Sequence, residues 1–106
     1  MEATHERWAE PELHRMRGLL LERQGDDPAT VEACHRRAMA SARSLGAKAW
    51  ELRATSSLAA YLRAQGQDIA ARQMLNTALA AFSEFGGSRD FVEALSQLKE
   101  LQSLPA

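Results

Sequence analysis

Apolar residues recur along this chain with the period of an α-helix. Leu13, Met16, Leu20 and Leu21 form one stripe, and Val31, Cys34, His35, Ala38, Ala42 and Leu45 form the next. Leu52, Thr55, Leu58, Ala59 and Leu62 make a third, and Ala71, Met74, Leu75, Ala78, Phe82 and Phe85 a fourth. A fifth runs through Phe91, Leu95, Leu98 and Leu101, with Gln97, Lys99 and Glu100 facing away. Such spacings put each set on one side of a helix. No stretch alternates with period two for long enough to make a strand, so the pattern predicts an all-α fold.

The punctuation between the stripes is regular. Gly25, Gly46, Gly66 and Gly86 lie 21, 20 and 20 residues apart, each behind a segment rich in helix-forming residues. Glycine just past a helix end supplies the left-handed conformation that stops it, so all four read as helix stops. Pro11 behind Glu10 and Pro28 behind Asp27 read as helix starts. Gln67-Asp68 and Ser88 are weaker starts. Connections this short fold neighbouring helices back on one another. The expectation is two helical hairpins and a closing helix.

The two hairpins resemble each other. With Gly25 set against Gly66, Gly18 falls opposite Ala59 and Leu21 opposite Leu62. Further on, His35 falls opposite Leu75, Ala38 opposite Ala78 and Met39 opposite Leu79. Small residues at 18/59 and 38/78 let helices approach closely. Repeats of this length point to a helical solenoid. Gly18, Leu21, Gly25, His35 and Ala38, then Leu58, Ala59, Leu62, Gly66, Ala71, Leu75 and Ala78, resemble the tetratricopeptide repeat pattern. More narrowly, ERWAEPELHRMRGLLL, EACHRRAMASARSLGAKAWELRATSSLA and QGQDIAARQML are similar to the helical repeats near the C-terminus of large bacterial signalling proteins. Those proteins join an ATPase module to a nucleotide cyclase or a DNA-binding domain. The likeness covers about residues 6–86. It implies a right-handed α-solenoid fragment over 1–106, with repeat 1 at about 10–46, repeat 2 at about 48–86 and a capping helix at about 88–103.

Composition agrees with one compact helical unit. The chain has 106 residues, 45% of them hydrophobic and 25% charged, with a formal net charge of −1. No global field attracts nucleic acid or anionic membrane, and the longest apolar runs are far too short to span a bilayer. The polar N-terminus has no apolar core of a signal peptide. A single cysteine, Cys34, forms no internal disulfide, which fits a cytoplasmic protein. Charge is uneven: residues 1–32 carry −4, residues 33–72 carry +5 and residues 73–106 carry −2. The basic middle reads as a solvated helix surface.

Candidate chemistry is sparse. Cys34, His35, Arg36 and Arg37 stand in a row, but the repeat register places His35 where Leu75 packs. Cys34 then lies half-buried as a small hydrophobe, and the two arginines point to water. A metal site would need further imidazoles, and Cys34 with His14 and His35 is the one conceivable set. No motif supplies a base or an oxyanion pocket for Cys34 as a nucleophile. Asp26-Asp27 reads as a turn and helix cap, and Trp8 and Trp50 as packing residues. The chain is therefore expected to be non-enzymatic, without cofactor or metal.

In tetratricopeptide arrays the first helices of each repeat line a concave groove. Carried over by position, the groove here holds Glu12, Arg15, Leu19 and Glu22 from one helix and Arg53, Ser56, Ala60 and Arg63 from the next. Arg53 and Arg63 either receive a partner carboxylate, as on an acidic peptide, or pair with Glu22 and Glu51. The resemblance implies a protein–protein interaction module; the alternative is effector sensing in a regulator's repeat region, which needs an enclosed pocket. The wide apolar stripe of the first helix suggests a homodimer through Trp8 with Leu19 or Leu20.

Overall fold

The computed structural model describes the backbone over residues 2–102 and the side chains over 10–102 apart from Phe85. It holds five α-helices: α1 (Glu2–Arg23), α2 (Pro28–Leu45), α3 (Lys48–Ala64), α4 (Asp68–Ala81) and α5 (Arg89–Gln102). A short 3-10 turn, Ser83–Phe85, lies between the last two. There is no strand among the described residues, and no helix there is long and apolar enough to cross a membrane.

Cross-chain contacts give the helix directions. Ser41 donates to Glu10 while Gly18 faces His35, so α1 and α2 are antiparallel. Arg43 meets Glu51 while His35 meets Tyr61, so α2 and α3 are antiparallel as well. In contrast, Glu12 meets Arg53 and Arg15 meets Ser57, so α1 and α3 run in the same direction. Arg53 meets Asp90 and Arg63 meets Glu100, so α5 runs with α3. Three helices, α1, α3 and α5, thus lie side by side and parallel, with α3 in the centre.

The core follows the stripes of α2 to α5. Leu52, Leu58, Ala59, Leu62, Ala71, Leu75, Ala78, Phe82, Ala94, Leu98 and Leu101 form one buried cluster, with Met39, Met74 and Phe91 packed against it. Val31, Ala38 and Ala42 of α2 are buried too. Gly25, Gly46 and Gly66 take positive φ between 70° and 80° at the helix ends, the conformation glycine alone adopts without strain. Asp27 caps α2 by accepting from the Thr30 N–H at 3.3 Å, and Ser88 accepts from the Phe91 N–H at 3.2 Å to start α5.

Several expectations need correction. Gly86 has φ −53°, so it is no left-handed stop; α4 already ends at Ala81, and buried Phe82 leads into the 3-10 turn. Pro11 does not open α1. It is buried inside a helix that starts at Glu2, before the expected repeat boundary, because residues 2–10 are mostly good helix formers and proline costs one ladder bond there. The stripe Leu13, Met16 and Leu20 is not core: these side chains are 62%, 58% and 55% exposed, because α1 has α2 and α3 on its other sides. Cys34 is buried rather than half-buried, at 7% exposure. Gln97 does not face away from the structure; it reaches back to α3.

Candidate functional site

The three parallel helices enclose a groove of about 650 Å³ on one side of the molecule. Arg15, Leu19 and Glu22 line it from α1, and Arg53, Ser56, Ser57 and Ala60 from α3. The far wall is α5, with Arg89, Asp90, Val92, Glu93 and Gln97. Six of the eight groove residues expected from the sequence therefore share one depression. Glu12 stands at its edge, bonded to Arg15 and Arg53. Arg63 lines an adjoining hollow with Ala60, Gln97 and Glu100.

The arginines are occupied, but not by the acids expected. Glu12 accepts from Arg15 Nε and Nη2, both at 3.0 Å, and from Arg53 Nη1 at 3.2 Å. Arg53 Nε also donates to Asp90 Oδ1 at 3.0 Å. Arg53 therefore ties α1 and α5 to α3 through two carboxylates. The Arg15 hydrogen bond and the two guanidinium charges hold the Glu12 carboxyl below its usual range, and Asp90 raises Arg53 further. Arg63 bonds Glu100. Glu51, one of the two acids expected to pair with these arginines, bonds Arg43 instead. Arg53 and Arg63 go to parallel neighbours one helix over, and such pairings depend on register rather than on sequence proximity.

Beneath the groove lies His35. Its ring is fully buried, and neither nitrogen has a hydrogen-bond partner. Glu22 Oε2 is 3.7 Å from Nε2, beyond hydrogen-bond reach. Burial lowers the imidazole pKa, and the Arg15 charge lowers it further; burial raises that of Glu22. His35 is thus a neutral packing group, set against Gly18 on one side and Tyr61 on the other. Arg36 and Arg37 are exposed, and Arg36 pairs with Glu32. Among the described residues no three His, Cys, Asp or Glu side chains are grouped to hold a metal, so Cys34, His14 and His35 do not form the conceivable set.

The expected dimer residues separate. Leu20 lies on the exposed outer face of α1, whereas Leu19, one residue round the helix, is half-buried in the groove. The Trp8 side chain lies outside the described residues. Trp50 is half-buried in the first turn of α3. The contribution of α5 to the groove was missed, because its apolar stripe reads as a cap; the one hint is Ser88-Arg89-Asp90, which begins a third helix of the same kind as α1 and α3.

Compared with known proteins, the chain matches no family model, no curated protein and no solved structure.

Proposed function

We propose that this chain is a non-catalytic protein-interaction module of tetratricopeptide type, a right-handed solenoid fragment whose groove receives a peptide segment of a partner. The observation that carries the reading is the polar groove between three parallel helices. Contacts step from α1 to α3 by 41 and 42 residues, and from α3 to α5 by 37 and 41. Near-constant steps between parallel helices are what stacked helical repeats produce, and stacking leaves a continuous concave surface. The groove is lined by charged, hydroxyl and amide groups with few large apolar ones, which suits an extended peptide better than an enclosed small molecule.

Selection of displayed dodecapeptides on the purified chain tests this. Ala60 is exposed on the groove floor, so Ala60→Trp fills the groove at small cost to the fold. The selected peptides should lose binding to Ala60→Trp, with its helical circular dichroism unchanged. Retention of binding by the folded variant would contradict the reading.

A second copy of the chain is the other partner in this proposal. Leu13, Met16 and Leu20 form an exposed apolar row along the outside of α1, and a two-fold axis would let one patch cover its own copy. Glu10 and Arg17 lie seven residues apart on one flank of that row, so only an antiparallel pairing sets acid against base. Light scattering at micromolar concentration should give the dimer mass, and Leu20→Glu the monomer mass. A monomer mass for the unaltered chain would remove this partner.

A further inference from the structure

We infer that the groove recognises an extended basic peptide: Ser56 and Gln97 read one peptide group, and Glu22 takes a lysine or arginine side chain beside it. This rests on the reading of the groove as a peptide site and adds the chemistry of the partner.

Gln97 comes first. Its Nε2 donates to the Ser56 carbonyl oxygen at 3.1 Å. A carbonyl only accepts, so this contact fixes which end of the amide faces α3 and leaves Oε1 as a free acceptor. That oxygen is buried and has no partner. Ser56 supplies the matching donor. The residue is 6% exposed and lines the groove, yet its Oγ has no partner either. Its neighbour Thr55 shows the usual outlet for a hydroxyl in a helix, donating to the Glu51 carbonyl at 2.8 Å. Ser56 does not use that outlet.

A hydroxyl donor and an amide acceptor thus belong to residues on adjacent helices that line one groove, and both atoms are closed to solvent, so a ligand meets them once the two side chains turn outward. Buried polar atoms are costly to leave unpaired. A peptide group carries the complement of both, a carbonyl for the Ser56 hydroxyl and an N–H for Gln97 Oε1. An extended segment offers such groups without breaking secondary structure of its own.

Charge selects the side chains. Arg15 and Arg53 are spent on Glu12 and Asp90, so an acidic ligand would have to displace existing bonds. The acids are less committed. Glu22 has a buried oxygen without a hydrogen bond, and Glu93 has no bonded cation among the described residues. Arg89, exposed at the mouth and one turn before Glu93, is the one guanidinium in the groove without a bonded acid there. If it turns to Glu93, Glu22 is still unmet. A ligand cation at Glu22 would hold that half-buried carboxylate ionised.

The experiment uses three fluorescein-labelled pools of random dodecapeptides, enriched in lysine and arginine, in aspartate and glutamate, or in neutral residues. Each is titrated against the full ¹⁵N-labelled chain, with anisotropy for affinity and amide shifts for location. The basic pool should bind most tightly and shift Ser56 and the Gln97 side-chain amide. Ser56→Ala and Gln97→Leu should each weaken it by about tenfold, and Glu22→Gln should remove its advantage over the neutral pool. Tighter binding of the acidic or neutral pool at the same resonances would overturn the inference while leaving a peptide groove. Unchanged affinity in both Ser56→Ala and Gln97→Leu, folded by circular dichroism, would overturn the peptide-group contact. If no pool moves a groove resonance, the reading of the groove itself fails.

Discussion

Gly18 faces the imidazole of His35 so closely that a methyl group at residue 18 would lie 2.9 Å from His35 Cε1. The ring cannot yield easily, since it is fully buried and tilted against Tyr61 at a centroid distance of 6.2 Å. Two effects compete in Gly18→Ala. Alanine favours a helix interior by about 1 kcal/mol, whereas overpacking a tight crossing costs about 1–3 kcal/mol. Overpacking should win, with a net loss of up to about 2 kcal/mol in urea unfolding. A variant as stable as the unaltered chain would mean that α1 and α2 separate more readily than this contact shows.

His35→Leu should act in the opposite direction. The matching position of the second hairpin is Leu75, which is fully buried. Removing two unpartnered ring nitrogens from the core should add roughly 1–2 kcal/mol. A lower melting temperature would show that the imidazole makes a bond the structure lacks.

The same residue makes stability depend on pH. Its folded pKa lies below the ordinary 6.5, so the unfolded chain binds more protons as the pH falls. Stability should therefore be complete well above pH 6.5 and decline as the pH falls through 6.5 towards the lower folded pKa. Glu22 works the other way: its raised pKa makes the folded chain take up a proton above the usual carboxylate range, which offsets part of the loss lower down. In His35→Leu the decline that sets in as the pH falls through 6.5 should largely vanish. Equal slopes in the two proteins would assign the dependence to another group.

Much of this arrangement was legible in the sequence, and the gaps have physical causes. Helices α2 to α4 follow from their stripes and from glycines that need positive φ. The repeat register makes Gly18 a close helix crossing and His35 a packed residue, but it does not set the one against the other; that contact comes from the packing of α1 on α2. The exposed row of Leu13, Met16 and Leu20 was harder to place, because periodicity reports that a face is apolar and not what covers it. The ion pairs Arg53–Asp90 and Arg63–Glu100 were out of reach, because they join helices 37 residues apart and depend on the register of α5 against α3. For the same reason Gln97 read as a solvent residue, although its amide closes the groove floor.

Arg53→Ala tests how firmly the groove walls are joined. Arg53 bonds acids from both neighbouring helices, but its side chain is 39% exposed, so solvent screens much of the attraction. The expected loss is about 1 kcal/mol, with faster amide exchange in the first turn of α5. A loss several times larger would make these pairs the main support of α5, in place of buried Leu98 and Leu101.

Cys34 should react as a buried thiol. With 7% exposure and no disulfide partner, it should resist an aromatic disulfide reagent until the chain unfolds. Cys34→Ala should cost about 1 kcal/mol, and added zinc should leave the melting temperature unchanged. Stabilisation that rises with zinc and disappears in Cys34→Ala would reveal a metal site.

The central claim is that the groove between α1, α3 and α5 is where a partner docks, and photo-crosslinking tests it most directly. A benzophenone side chain is placed at Ala60 on the groove floor, or at Ile69, which is 70% exposed at the start of α4 and outside the groove. Each labelled chain is irradiated with a dodecapeptide selected on the unaltered protein. The account predicts adducts from residue 60 and none above background from residue 69. Adducts at residue 69 with none at residue 60 would contradict it.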